Sequence, residues 1–172
     1  DRVLKEIYKL SDYKNRIRNI KEFNLNQINN NLPFRKGIAL MPAKFGISFN
    51  KPSLNQGGAL VHVYSDGSIR LNHGGTEMGQ GLFIKVAQVV AECFKVSVDQ
   101  IHITSTNTAE VPNTSATAAS SGSDLNGMAA WNASNIIKNR MVDHAAKLFK
   151  KNKKDIILND GRIVCGNKSL SF

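Results

Sequence analysis

The ten residues from Asn72 to Gly81, Asn-His-Gly-Gly-Thr-Glu-Met-Gly-Gln-Gly, constrain this chain more than any other stretch. Four glycines in the eight residues Gly74–Gly81 cannot be filling a core. Glycine is used where the backbone takes a positive φ or must approach another group without a Cβ in the way. Directly behind the loop, Leu82, Phe83, Val86, Val89, Val90, Cys93 and Phe94 recur at helical spacing, with Lys85, Gln88 and Glu92 on the opposite side. That pattern predicts a helix over 82–94 with a wide buried face. The glycines then sit at a helix N-terminus, where unpaired N–H groups suit an anion.

A second stretch has related chemistry. After Pro112 the chain runs Asn-Thr-Ser-Ala-Thr-Ala-Ala-Ser-Ser-Gly-Ser to Ser123, and a long helix is predicted from about Asp124 to Phe149. Between Thr114 and Ser123 nothing is larger than threonine and nothing is charged. Small residues let a ligand lie against the main chain, and hydroxyls can donate to phosphate or to polar ring atoms. A flexible linker is the simpler account of such a run, but a linker has no need to be free of charge between a buried strand and a buried helix. Two small-residue loops, each leading into a helix, point to a polar, phosphate-bearing ligand between two helix N-termini.

Charge decides what the remainder can bind. The net charge is +10, but residues 1–36 carry nine basic and four acidic side chains, residues 37–130 five and six, and residues 131–172 nine and three. The excess lies at the two ends, while the glycine-rich centre is close to neutral. The basic run Lys147–Lys154 lacks the array of aromatics that a nucleic-acid stacking platform needs, so nucleic acid is not expected as a partner. No stretch approaches the roughly 18 apolar residues of a membrane helix. No secretory leader opens the chain, and Cys93 and Cys165 lack metal-ligand spacing, so free thiols in a cytoplasmic setting are expected.

Elsewhere the periodicity gives ordinary elements. Val3, Leu4, Ile7 and Leu10, then Tyr13, Ile17 and Ile20, predict two leading helices, with Ser11 or Asp12 as a cap for the second. The asparagine-rich stretch Asn24–Asn31 reads as a linker or fraying helix end. Gly37–Phe49 is apolar and predicts strand. Ala59–Tyr64 and Ser68–Asn72 alternate about Ser65-Asp66-Gly67 as a hairpin. Ile101–Ile103 is a short strand, Ile156–Cys165 a hairpin about Asn159-Asp160-Gly161, and Lys168–Phe172 a further strand. His62 and His102 are expected to face outward. The P-loop pattern, the third glycine of the dinucleotide fingerprint and the G-x-S-x-G elbow are all missing. The expected fold is α+β, mixed strands and hairpins with helices packed on one side. Residues 1–35 are a helical lead-in and Asn-rich linker, and 36–172 the main segment.

The motifs resemble one family. Gly74–Gly81, followed 36 residues later by Thr117-Ala118-Ala119-Ser120, resembles the molybdopterin-binding part of the xanthine dehydrogenase family of molybdenum hydroxylases. The match extends upstream through Lys44-Phe45-Gly46-Ile47-Ser48-Phe49 and Leu54-Asn55-Gln56-Gly57-Gly58-Ala59, and looks closest to the separate large subunit of bacterial members. The resemblance implies that Gln80 hydrogen-bonds the pterin and that Thr117, Ser120 and Ser123 hold the pterin and its phosphate. It further implies that Ala119 lines the molybdenum with its backbone, and that Phe49 is one of two rings sandwiching a purine. Gly122 stands where some members have serine, and Asn50 where threonine is usual beside the substrate.

The same resemblance implies a parent that hydroxylates hypoxanthine and xanthine to urate, passing electrons through iron–sulfur clusters and FAD to NAD. No counterpart of the family's glutamate base is found here, nor of the second phenylalanine or the substrate-orienting arginine. No catalytic residue is therefore assigned. The chain reads as part of a larger molybdopterin-binding domain, incomplete at both ends and inactive alone. Its implied partners are the rest of that subunit, an iron–sulfur/FAD subunit and a purine substrate, in an oligomeric parent. An aldehyde-oxidising relative is the near alternative, and a non-catalytic basic domain facing an acidic partner the distant one.

Overall fold

A computed structural model describes residues 2–43, 45–111 and 113–171. Lys44 in the upstream match, Pro112 at the head of the second stretch and Phe172 at the end of the last strand lie outside the described residues. The chain falls into two compact units, Asp1–Phe45 and Gly46–Phe172. The first contains α1 (Arg2–Leu10) and α2 (Tyr13–Asn29). The apolar stripe of α1 is uncovered, with Val3 79% exposed and no residue of the helix buried. Asp12 stands at the N-cap of α2 in a left-handed conformation, but its side chain makes no capping bond. Its carboxylate instead accepts from Asn15 Nδ2 at 2.8 Å. The asparagine-rich stretch is largely helical. Asn24 holds the backbone of Lys36 from both sides, donating to its carbonyl at 2.9 Å and accepting from its N–H at 2.8 Å.

The second unit is built on β1 (Ala59–Val63), β2 (Ile69–His73), α3 (Leu82–Phe94), β3 (Ile101–Ile103), α4 (Gly122–Phe149), β4 (Ile157–Asn159), β5 (Arg162–Cys165) and β6 (Lys168–Ser171). β1 and β2 form the expected antiparallel hairpin, with Val61 opposite Leu71 and Val63 opposite Ile69. Asp66 fixes its turn by accepting from both the N–H and the hydroxyl of Ser68 at 2.9 and 2.7 Å. β3 pairs parallel to β2, Ile69 against Ile101, so the chain between them must cross over, and α3 is that crossover. Side chains alternate as a half-buried sheet requires: Val61, Ile69, Leu71 and Ile101 face the helices and are buried. His62 and His102 face outward and are exposed, as expected.

Leu82, Val86, Val90 and Phe94 of α3 complete the core together with Ala130, Ala145, Ala146 and Phe149 of α4. Each fully buried leucine, valine or phenylalanine here contributes on the order of 1.5–3 kcal/mol. Phe149, the one aromatic within the basic run, is thus packed inside and not presented to a partner. β4, β5 and β6 form a separate antiparallel meander. Asp160 and Gly161 both take positive φ in its first turn, and the N–H of Gly161 donates to the carbonyl of Lys95 behind α3 at 2.9 Å. Lys168 Nζ donates to the carbonyl of Phe149 at 3.1 Å, closing the C-terminus of α4. The fold is α+β, with four α-helices and two three-stranded sheets among the described residues.

One expectation is corrected. The described residues between 37 and 49 form no strand. Pro42 has no N–H to give a ladder, Ser48 is left-handed at φ 74°, and Phe45 is 78% exposed, so the apolar run finds neither a partner strand nor a core. The long helix agrees with the expectation, starting at Gly122 just ahead of Asp124 and ending at Phe149. α4 leans closely on the segment before β1, where a Cβ on Gly57 would lie 2.7 Å from the backbone oxygen of Leu125. Gly57→Ala is therefore expected to lower unfolding stability by about 1–3 kcal/mol. Gly46→Ala, with open space around it, changes stability by less than about 0.5 kcal/mol, with denaturant midpoints as the measure.

Candidate functional site

The two glycine- and hydroxyl-rich loops lie side by side. In the first, Gly81 at the N-cap of α3 has φ 75°, which only glycine adopts cheaply. Gly75 is closely packed, since a Cβ there would meet Leu82 Cδ2 at 2.5 Å and Asn126 Nδ2 at 2.7 Å and push those side chains aside. The start of α3, however, is already occupied. Glu77 turns its carboxylate onto the helix, accepting from the N–H groups of Gly79 at 2.8 Å, Gly81 at 3.0 Å and Phe83 at 3.0 Å. The bond from Phe83, reinforced by those from the loop, holds this carboxyl below the usual carboxylate range. The N–H groups expected to receive a ligand anion are thus taken by an anion from within the chain.

Gln80 spans the same loop. Its Oε1 accepts from Met78 N–H at 2.5 Å and its Nε2 donates to the carbonyl of Thr76 at 2.9 Å. A primary amide has two N–H donors and two acceptor lone pairs, so this exposed side chain keeps one of each for a ligand.

The second loop is stitched to the first. Thr117 Oγ1 accepts from the N–H of Thr76 at 2.8 Å, leaving its own hydroxyl proton free to donate. Thr106 donates to the carbonyl of Gly75 at 2.9 Å and Thr114 to that of Gly74 at 3.5 Å. From the other side, the N–H of Ser48 donates to the carbonyl of Ala119 at 2.8 Å, and Ser115 and Gln56 pair through their backbones at 3.0 Å. Ser115 also donates its hydroxyl to the carbonyl of Leu54. Phe49 is held by a two-point clip, donating to Asn55 Oδ1 at 2.8 Å and accepting from Asn55 Nδ2 at 3.0 Å.

Ala119 and Ser120 are both left-handed, each with φ 53°. Two successive non-glycine residues in that region cost on the order of 1–3 kcal/mol each, and such strain concentrates at ligand sites. Immediately behind them α4 starts without a side-chain cap, because Ser121 donates its hydroxyl backward to the carbonyl of Ala118 at 3.0 Å. Ser120 and Ser123 are exposed there. One helix start is closed by Glu77 and the other is open.

Gln80 and Thr117 thus lie in loops joined through Thr76, and Phe49 follows the residue that holds Ala119. Ser120 and Ser123 flank the open end of α4. A cleft of about 410 Å³ on the Gly74 side, walled by Gly74, Thr106, Asn107, Thr108, Val111, Asn113 and Thr114, contains none of these predicted residues. Among the described residues no group of three or more His, Cys, Asp or Glu side chains could hold a metal ion. Sequence reasoning missed Glu77, Thr76 and Asn55. An acidic residue just ahead of a predicted helix start was the available signal for Glu77; the clip by Asn55 had none.

Comparison with known proteins gives the family. Residues 6–172 match the family described as molybdopterin cofactor-binding domain. Xanthine dehydrogenase/oxidase of Rattus norvegicus is 49% identical over 143 residues, 83% of this chain and 10% of that protein. Nicotinate hydroxylase of Emericella nidulans is 47% identical over 146 residues, 84% of this chain and 10% of that protein. The chain spans about a tenth of the length of these curated relatives. Among solved structures, CO dehydrogenase from Oligotropha carboxidovorans superimposes with a TM-score of 0.62 at 24% identity, covering 67% of this chain and 15% of that one, which shows a shared fold.

The role of Glu77 as an internal cap is directly testable. Its pKa is depressed in the fold, so its contribution is present above the ordinary carboxylate value and is lost as pH falls through the folded value. Glu77→Ala is expected to speed hydrogen exchange at the amides of Gly81 and Phe83 at neutral pH. Acidifying the unaltered chain through the depressed folded value of Glu77, below the ordinary carboxylate range, has the same effect. Unchanged protection in the variant would show that the carboxylate does not hold the loop.

Proposed function

This chain belongs to the family of molybdopterin cofactor-binding domains, and from that premise we propose that it forms part of the molybdopterin seat of a xanthine dehydrogenase. The observation that carries the reading is the pair of loops joined by the Thr76–Thr117 bond, one helix start filled by Glu77 and the other open. The residues suit the cofactor: exposed hydroxyls at Ser120 and Ser123, a free proton on Thr117 and an uncapped helix start favour a phosphate. The spare amide donor and acceptor of Gln80 favour the edge of a pterin. Because α3 is closed from within, the phosphate goes to the start of α4. Ala119 presents only backbone to the molybdenum, and Phe49, braced by Asn55, offers a ring face to the substrate.

When bound, the molybdenum cofactor supplies the oxidising centre, and the residues of this chain bind and orient it. In the complete protein the substrate is hypoxanthine or xanthine, and electrons leave through iron–sulfur clusters and FAD to NAD. The 49% identity to the rat xanthine dehydrogenase/oxidase supports this route. The absence of a glutamate base from the matched motifs supports an isolated segment without turnover. Another nitrogen heterocycle of the nicotinate type is the second reading, favoured by the 47% identity to the nicotinate hydroxylase and by Asn50 standing beside Phe49.

The experiment is molybdenum and pterin content of the complete protein, unaltered and with Gln80→Ala or Ser120→Ala, alongside xanthine and nicotinate turnover. A hydrogen bond to a charged phosphate contributes about 1.5–3 kcal/mol, so Ser120→Ala is expected to lose at least about tenfold in cofactor affinity. Gln80→Ala removes bonds to a neutral ring edge at about 0.5–1.5 kcal/mol each, and is expected to lose roughly two- to tenfold. Full retention in both variants would mean that the loops do not hold the cofactor. Turnover of nicotinate in preference to xanthine would select the second substrate class.

A further inference from the structure

His73 ends β2 and opens onto the glycine loop. It is 2% exposed, its ring meets that of Phe83 edge-on at 5.2 Å and 89°, and its Nδ1 accepts from the N–H of Gly75 at 3.1 Å. Its Nε2 is buried and has no partner among the described residues. An imidazole that accepts at Nδ1 carries its proton on Nε2, so the neutral ring is fixed in one tautomer. Gly75 is gripped on both sides of its Cα, its N–H by His73 and its carbonyl by Thr106. The N–H of the next residue, Thr76, is the one that reaches Thr117. A continuous line of hydrogen bonds therefore runs from the end of the sheet, through the loop, to a predicted cofactor residue.

We propose that His73 is the positioning residue of the glycine loop, holding it through the Nδ1 lone pair, and that protonating this ring releases the loop and the cofactor with it. The proposal rests on the reading that these loops seat molybdopterin. Protonation would place an N–H against the N–H of Gly75 and leave a buried cation. The charged groups on the surrounding elements are committed or exposed. Glu77 in the loop faces the start of α3, Arg70 on β2 is paired with Glu110, and Lys85 on α3 and Asp124 on α4 are exposed. The other histidines of the sheet, His62 on β1 and His102 on β3, face outward. Burial is what holds the pKa of His73 below the ordinary histidine value, with no charge partner contributing. The folded state thus resists the proton more than the open chain does. The loop is fully held above the ordinary histidine value of ~6.5 and loosens as pH falls from there through the lower folded value of His73.

The test uses the complete, cofactor-loaded protein and two variants. His73→Asn places an oxygen where Nδ1 stands and has nothing to titrate in this range; His73→Leu removes the acceptor. Molybdenum and pterin are measured after incubation at pH 7.5 and at pH 5, with hydrogen exchange of the segment 73–82 followed in parallel. The expected result is that unaltered protein and His73→Asn both retain cofactor at pH 7.5. At pH 5 the unaltered protein releases it about tenfold faster, with faster exchange in the loop, and His73→Asn shows neither change. His73→Leu retains little at either pH. Equal acid sensitivity in the unaltered protein and His73→Asn would overturn the proposal even if His73→Leu failed to fold, as would full retention by His73→Leu. Those outcomes leave the cofactor seat standing. Absence of molybdopterin from the unaltered protein at pH 7.5 would instead overturn the seat, and this inference with it.

Discussion

The close packing of α3 against α4 is the constraint on which the site depends. Gly127, Ala130, Ser134, Ala145 and Ala146 give α4 a small-residue flank along much of its length. An ideal Cβ on Gly127 would sit 3.7 Å from Val89, so the helices approach to ordinary van der Waals contact. Each helix is preceded by one of the two loops. Because the helices are held together by a shared core with Ile69, Leu71 and Phe94, their starts are held together as well. The bond between Thr76 and Thr117 then fixes a relation that packing has already brought within reach.

A second layer of braces acts on the backbone itself. Ser48 holds Ala119, Asn55 holds Phe49, and Thr106 holds Gly75. These bonds cross from irregular chain to irregular chain, where no ladder or helix would satisfy the groups. They explain how Ala119 and Ser120 persist in left-handed conformations without glycine's freedom. The strain is local, and the surrounding bonds over-determine the chain there.

Helical and hairpin signals in the sequence agree with the structure where periodicity is long or the turn is chemically explicit. Leu82–Phe94 and the two hairpins are such cases, because a buried stripe or an Asp-Gly turn is written in residue types. The apolar run after Gly37 misled because hydrophobicity alone does not say whether a partner strand exists; Pro42 and Ser48 decide that it does not. The two loops were legible from their composition. The occupant of the first helix start was not, because it depends on Glu77 folding back over six residues to Phe83. His73 was visible only as a member of the glycine-rich stretch Asn72–Gly81. Its burial and its bond to Gly75 exist only once β2, α3 and the loop are assembled.

The carboxylate of Glu77 gives the first loop a property of its own. A helix start that must wait for a ligand's anion is shaped by that ligand, and by whatever buffer ion arrives first. Here the anion is covalently supplied, at an effective concentration no solute can match, so the first loop is set before any cofactor comes. The second loop, strained at Ala119 and Ser120 and open behind them, has no such resident. Competition from dissolved phosphate or sulfate, and sensitivity to ionic strength, therefore fall on the second loop, while the first, at neutral pH, is already set.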